Sequence, residues 1–236
     1  MNQAEFYISK RTGKAITEYK MIANGDRIAV AVSGGKDSMA LLKVLLDRKT
    51  FVPIKYHLLA LHIDLGYPKS VAHQLEKYFK QIDVDYRIVK AQELKNTEKG
   101  KINCFWCSWN RRKHLFQSAD KLGFNVVALG HHKDDIAQTI LLNLFFQGEI
   151  SAMKPVQKLF NGKIKIIRPF LYVEEKMIKR FVKENKLPVF ECVCPQASLS
   201  RRRTVAGIIQ SLERICPEVK TNILNSLKRI NKDYLL

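Results

Sequence analysis

Hydrophobic and polar positions fall into blocks along the chain, and the period changes from block to block. Residues 27–32, Arg-Ile-Ala-Val-Ala-Val, form a short β-branched run that ends just before two glycines. Residues 37–46 then place apolar side chains on most turns and predict a helix. The same reading gives strands over 56–63, 85–89 and 125–129, with helices over 70–81, 108–122 and 134–146. A lysine-rich stretch, 93–101, interrupts the series and is expected to be mobile. Strand, helix and strand in repetition predict an α/β fold, a parallel sheet with helices on both faces.

After Gly148 the pattern changes. Residues 163–167 predict a last strand closed by Arg168-Pro169, and Met177, Ile178, Phe181 and Val182 recur at helical spacing. From Ser198 onward the chain is helical in pattern, with Arg201-Arg202-Arg203 near the start. There is no internal repeat and no low-complexity linker. The economical organisation is an N-terminal extension (1–26), a core domain (27–197) and a basic helical tail (198–236).

Composition narrows the class. Hydrophobic residues make up 46% of the 236, enough for a core. Every apolar stretch meets a Lys, Arg or Asp before it could cross a bilayer, and the first twenty residues lack the apolar block of a secretory signal, so a cytoplasmic protein with no membrane partner is expected. Lys and Arg number 41 against 22 Asp and Glu, a surplus of 41 − 22 = +19. That surplus favours a polyanion, nucleic acid above all; the bland alternative is a genome that inflates lysine generally. Cys104, Cys107, Cys192, Cys194 and Cys216 make an odd count with two close pairs, which points to metal or redox chemistry rather than a disulfide framework.

The sharpest local feature is Ser33-Gly34-Gly35-Lys36-Asp37-Ser38, which follows a strand and opens a helix. Two glycines let the backbone turn and bring its amides near an anion. The helix aims its positive end at the same place, and Ser33, Ser38 and Lys36 add donors and a charge. The spacing is not that of a Walker A loop, and no third glycine completes a dinucleotide fingerprint. Set after a strand, the motif resembles the PP-loop of the N-type ATP pyrophosphatases. That resemblance implies ATP bound by its pyrophosphate end, a substrate oxygen adenylated, and AMP displaced by a nucleophile. The family holds amidating synthetases, lysidine synthetase, sulfate-reduction enzymes and tRNA thiolases, and the loop alone does not choose among them.

A second motif, Gly130-His131-His132-Lys133-Asp134-Asp135, sits where the fourth strand meets its helix, at the carboxyl edge where open α/β sheets bind ligands. Adjacent carboxylates there suit a magnesium ion that carries phosphates, although Asp134 could simply cap the helix. With Gln138-Thr139 and Leu141-Leu142-Asn143 behind it, the segment resembles that of tRNA-modifying PP-loop enzymes, which implies Gly130, His132, Asp134 and Asp135 near the nucleotide. Asp64, ending the second strand, matches an acidic position of the thiolases that would contact ATP or magnesium.

Cys104-Phe105-Trp106-Cys107, followed by Arg111-Arg112-Lys113, could by itself be a redox pair or half a zinc site. In order, however, Cys-x-x-Cys with Arg-Arg, Gly-His-His-x-Asp-Asp, Ile-Arg-Pro and a later cysteine resemble the tRNA 2-thiocytidine synthetases, whose core the 2-thiouridine synthetases of thermophiles share. The resemblance runs from about residue 28 to 203. It implies a [4Fe-4S] cluster on Cys104, Cys107 and Cys194 with one iron open, ATP, Mg²⁺, tRNA and a sulfur donor as partners, and a homodimer. Asp37, Asp64, Asp135 and Cys194 are then the residues expected in the chemistry, beside the phosphate loop. The implied reaction adenylates the C2 oxygen of a tRNA base, and sulfur delivered at the cluster displaces AMP.

Two departures stand out. The relatives usually carry Cys-x-x-Cys-Gly where this chain has Cys192-Val193-Cys194-Pro195, so Cys192 is the fallback ligand. The paired N-terminal cysteines of the thiouridine branch have no counterpart before Arg27. Cys216 reads as a small buried hydrophobe. The rival readings are an amine-using, lysidine-synthetase-like ligase that needs no cluster, an RNA-binding module that only senses nucleotide, and a sulfurtransferase acting on a small metabolite.

Overall fold

The computed structural model describes residues 3–67, 70–91, 104–190, 201–231 and 233. Six strands form one sheet: β1 (Arg27–Ala31), β2 (His57–Asp64), β3 (Tyr86–Lys90), β4 (Val126–Ala128), β5 (Val156–Leu159) and β6 (Ile164–Ile167). Their order is β3-β2-β1-β4-β6-β5. All neighbours pair in parallel except β5 and β6, which are antiparallel. The helices are α1 (Gln3–Glu18), α2 (Lys36–Arg48), α3 (Ala72–Gln81), α4 (Cys104–Lys121), α5 (Lys133–Gln147), α6 (Glu175–Glu184), α7 (Arg201–Ile215) and α8 (Val219–Ser226).

The two-residue period of a strand divides the core. Ile28, Val30, Leu58, Ala60, Val126 and Ala128 join the larger apolar cluster, with side chains from α1, α2, α3 and α6. Ala29, Leu59, Leu61, Ile63 and Val127 face the other way and meet Leu115 and Ala119 of α4. Strands buried on both faces are nearly all apolar, which is why they read as continuous runs rather than as alternation.

The order of strands reverses between β1 and β4. Successive chain segments run outward from β1 on one side and from β4 on the other, so the loops after these two strands open a crevice at their carboxyl ends. Both sequence motifs lie on those two loops.

Three elements differ from the sequence reading. Helix α1 lies inside the segment read as an N-terminal extension, and its Ile8, Thr12, Ala15 and Ile16 are buried in the main body. Strand β5 is short, only half-buried and lysine-bearing, so it gave no clear period; it makes the antiparallel edge. Helix α4 begins at Cys104 rather than 108, which puts the Cys-x-x-Cys pair on its first turn. The basic C-terminal segment is a helical hairpin: Val205 and Ile209 of α7 pack on Ala137 of α5. Among the described residues no helix is long and apolar enough to cross a membrane. The lysine-rich stretch 93–101 lies outside the described residues.

Candidate active site

The 33–38 loop turns through Gly34 at φ +92°, a conformation that side chains disfavour, and Gly35 caps α2. Its shape is held from within. Ser38 Oγ donates to Gly35 O (2.9 Å) and accepts from Ser33 N (3.2 Å). Gly130, on the loop after β4, packs so close that an added Cβ would lie 3.1 Å from the backbone carbonyl of Asp37 and 3.2 Å from Ser38 N. The two loops therefore touch backbone to backbone across the switch point, and the amino ends of α2 and α5 both open onto the crevice.

A cavity of about 290 Å³ lies there. Its polar side is made by Ser33, Gly35, Asp37, Ser38, Gly130, His131 and Asp135; Ala31, Leu61, Ile63, Leu115 and Leu129 supply an apolar side; Ser108, Arg111 and Arg112 of α4 close it. Three buried polar atoms on its lining residues have no hydrogen-bond partner: Asp37 Oδ1, His131 Nδ1 and Arg111 Nε. Unsatisfied buried polar groups are costly and uncommon, so their convergence on one cavity marks a place for a polar ligand.

The two carboxylates of the second motif part company. Asp135 lines the cavity; its Oδ2 accepts from His132 N (3.1 Å) and its Oδ1 from Arg202 (3.1 Å). Asp134 turns into the protein, where Lys220 Nζ meets Oδ1 at 2.6 Å and Glu175 N donates to Oδ2 at 2.8 Å. Burial works against its charge, yet the bonds from His132, Lys220 and Glu175 hold its carboxyl far below the usual range. Lys220 also reaches Glu213 (2.9 Å), and Lys133 reaches Glu174 (3.3 Å) and Thr221 (2.8 Å), so the C-terminal hairpin is wired into the base of the site. Glu175 in turn holds Lys36 at 3.0 Å, and Asp37 holds it at 3.1 Å. Burial opposes the charge on Lys36, but those two carboxylates outweigh it and raise its pKa.

The histidines are opposed. Burial favours neutral His132, but Asp134, Asp135 and Asp37 overcome that and raise its pKa. For His131 burial and the charges of Arg168, Arg112 and Arg202 outweigh Asp135 and push the pKa down to about 4. Arg168, just past β6, is itself buried beside Arg112 and lowered to about 10; it donates to Lys154 O, while its Nε has no partner. Asp64 ends β2 away from the cavity lining, with Gly66 N (2.9 Å) and Ser70 Oγ (2.8 Å) bonded to its oxygens.

Cys107 is half-buried on the first turn of α4, next to cavity-lining Ser108, and Tyr67 Oη lies 2.5 Å from its Sγ. Cys104 is one helical turn earlier, the spacing at which two helix positions share a face. Cys192 and Cys194 lie outside the described residues. Residues on either side of them bond to the rim: Phe190 N donates to Gly34 O (2.9 Å), and Arg202 binds Asp135. Among the described residues no group of three or more His, Cys, Asp or Glu is arranged to hold a metal ion.

The chain that builds this site matches a known family. The PP-loop domain family covers residues 7–205. The tRNA-cytidine(32) 2-sulfurtransferase of Geobacter sulfurreducens is 39% identical over 97% of this chain and 91% of its own. That of Citrifermentans bemidjiense is 38% identical over 97% and 92%. The chain belongs to the PP-loop family, on its tRNA-cytidine(32) 2-sulfurtransferase branch. The fold agrees with that of the U34-tRNA thiolase NcsA from Methanococcus maripaludis, solved with its [4Fe-4S] cluster: TM-score 0.78 at 24% identity, over 97% of this chain and 81% of the other.

Within this PP-loop site the sequence had already marked the 33–38 loop, Gly130, His132, Asp135 and the arginines of α4. It gave no role to His131, Arg168, Glu175 or Lys220. Arg168 had a usable signal, since it follows a predicted strand at the carboxyl edge. Lys220 had none.

Proposed function

We propose that this chain is an ATP-dependent tRNA 2-sulfurtransferase acting on cytidine 32, working in the cytoplasm where tRNA and ATP are available. The observation that carries the reading is the meeting of three elements at one cavity: the 33–38 loop, the 130–135 loop and the arginine-bearing first turns of α4 that start with the Cys-x-x-Cys pair. The loop amides, Lys36 and the amino end of α2 hold the pyrophosphate end of ATP, and the apolar side of the cavity takes its adenine. Lys36 is kept cationic by Asp37 and Glu175 and meets the charge that develops on the leaving pyrophosphate. Arg111 and Arg112 face the same region and screen the oxygens of the transferred phosphorus.

Asp37 Oδ1, buried without a hydrogen bond and only 3.7 Å from His132, with Asp135 beside it, fits a phosphate-borne magnesium ion, which needs one or two protein carboxylates and supplies charge neutralisation. Asp134 serves instead to hold the loop, through Lys220 and Glu175. Soft thiolates at one-turn spacing fit an iron–sulfur centre, and Cys104, Cys107 and Cys194 would hold one that delivers sulfur to the adenylated base. Tyr67, at hydrogen-bonding distance from Cys107, orients that thiolate.

The test is a single-turnover assay on anaerobically purified protein with unmodified tRNA, ATP and inorganic sulfide as the sulfur donor. Thiolated cytidine should appear together with AMP and pyrophosphate, and Cys107→Ala should lose thiolation while the fold persists by circular dichroism. Release of AMP and pyrophosphate undiminished in Cys107→Ala, with no thiolated cytidine from the native chain, would overturn the reading and favour an amine-using ligase.

A further inference from the structure

Trp109 is one of two tryptophans in the chain and is 55% exposed on the solvent side of α4. At 100° per residue its neighbours on the helix surface are Arg112 and Lys113, three and four positions on. Lys113 Nζ sits 5.6 Å from the centre of a Trp109 ring. Arg112 is exposed as well, yet it also lines the cavity, as does Ser108, so the indole stands beside one cavity-lining residue and one turn from another. A scattered surface aromatic needs no explanation. An exposed indole with two cations one turn on, one of which lines an anion-binding cavity, is a different matter.

We propose that Trp109, flanked by Arg112 and Lys113, is a stacking platform for an unpaired base of the RNA substrate, with the two cations taking phosphates on either side of that base. The identity of the RNA rests on the sulfurtransferase reading above. Charge complementarity selects the occupant: the chain carries +19, and α4 has no Asp or Glu before Asp120 while it bears Arg111, Arg112 and Lys113. A second copy of so basic a face would be repelled, whereas a polyanion is drawn to it. Single-stranded nucleic acid is held by this combination, cations along the backbone and aromatic faces for the bases. A duplex hides its base faces, so the platform selects a loop.

The experiment measures affinity of the anaerobically purified full chain for a labelled stem–loop RNA and for a blunt duplex of the same length. Trp109→Ala should weaken loop binding roughly 5- to 150-fold, the range for one lost base–aromatic stack, and leave duplex and ATP affinities unchanged. Trp109→Phe should recover most of the loss, and Trp109→Leu, apolar but without a π face, should behave like the alanine variant. Loop RNA should quench the indole emission of the native chain far more than that of Trp109→Phe, which keeps only Trp106. Native affinity in Trp109→Leu overturns the platform, as does an equal loss of loop and duplex binding. A sedimentation change that tracks Trp109→Ala with RNA affinity intact also overturns it, by assigning the face to a second copy. If the native chain still releases pyrophosphate in a tRNA-dependent way while Trp109→Ala binds normally, the platform falls and the sulfurtransferase reading stands. If the native chain binds no tRNA, both fall.

Discussion

Two basic walls stand around the cavity, Arg111 and Arg112 lining it directly, and they differ in how their charge is balanced. On the loop side each cation has a carboxylate: Lys36 with Glu175 at 3.0 Å, Lys133 with Glu174 at 3.3 Å, Lys220 with Asp134 at 2.6 Å and Arg202 with Asp135 at 3.1 Å. On the other side stand Arg111 and Arg112 of α4, with Arg168 behind them. Among the described residues none of these three is paired with a carboxylate, and Arg111 Nε and Arg168 Nε are buried without partners. The paired wall keeps its shape without a ligand. The unpaired wall holds positive charge at a cost in solvation, and an incoming phosphate lowers that cost, so substrate binding energy concentrates there.

The largest expected effect comes from breaking the paired wall. Lys220→Ala leaves Asp134 buried without its cation and should lower stability by about 3–5 kcal/mol, read from urea unfolding. Lys220→Met combined with Asp134→Asn should recover part of that, because no buried charge is left alone. If the single variant unfolds at the native midpoint, the pair is not what holds the loop.

A smaller effect follows from pH, through His131, a loop residue that feels the charges of Arg168 and Arg112 on the unpaired side. Its pKa falls from 6.5 in the unfolded chain to about 4 in the fold. The stability tied to neutral His131 is therefore complete above 6.5 and is lost as pH falls from 6.5 toward 4, because the unfolded state takes up a proton that the folded state refuses. At about 1.4 kcal/mol per unit, the loss is on the order of 3 kcal/mol. His131→Gln should flatten the stability profile across that window; an unchanged slope would assign it to other groups.

The smallest effect on stability belongs to Arg168→Met. Removing an unpaired buried charge at the cost of one bond to Lys154 O should change the unfolding free energy by less than about 1 kcal/mol. The same variant should lessen the salt dependence of tRNA binding, by about one unit in a log–log plot, if Arg168 meets a phosphate. A large stability loss with an unaltered salt slope would make Arg168 structural and erase the contrast between the walls.

Much of this was legible in the sequence because it is local. Residues 27–32 end at Gly34 and Gly35, and a strand, a turn with φ > 0 and a helix start are each specified within a few residues. The strand–helix series then implies a parallel sheet, and a parallel sheet places the loops after β1 and β4 on one edge. That Gly130 must be glycine was not legible, since its reason is the backbone of Asp37 and Ser38 arriving 3.1–3.2 Å away. Nor was the role of α1, whose apolar residues fall in short groups broken by charges until packing buries Ile8 and Ala15 completely.

Asp134 and Asp135 show where the division lies. Sequence alone determined the strand–loop–helix frames, the phosphate loop and the family resemblance, because backbone conformation and hydrophobic period are set by neighbours in the chain. Only the tertiary structure decided that Asp135 faces the cavity and Asp134 meets Lys220, that Arg168 stands beside Arg112, and that Trp109 is exposed one turn from cavity-lining Arg112. Adjacent helix residues point about 100° apart, so which of them meets the ligand depends on what packs against the helix, and that partner comes from a distant part of the chain.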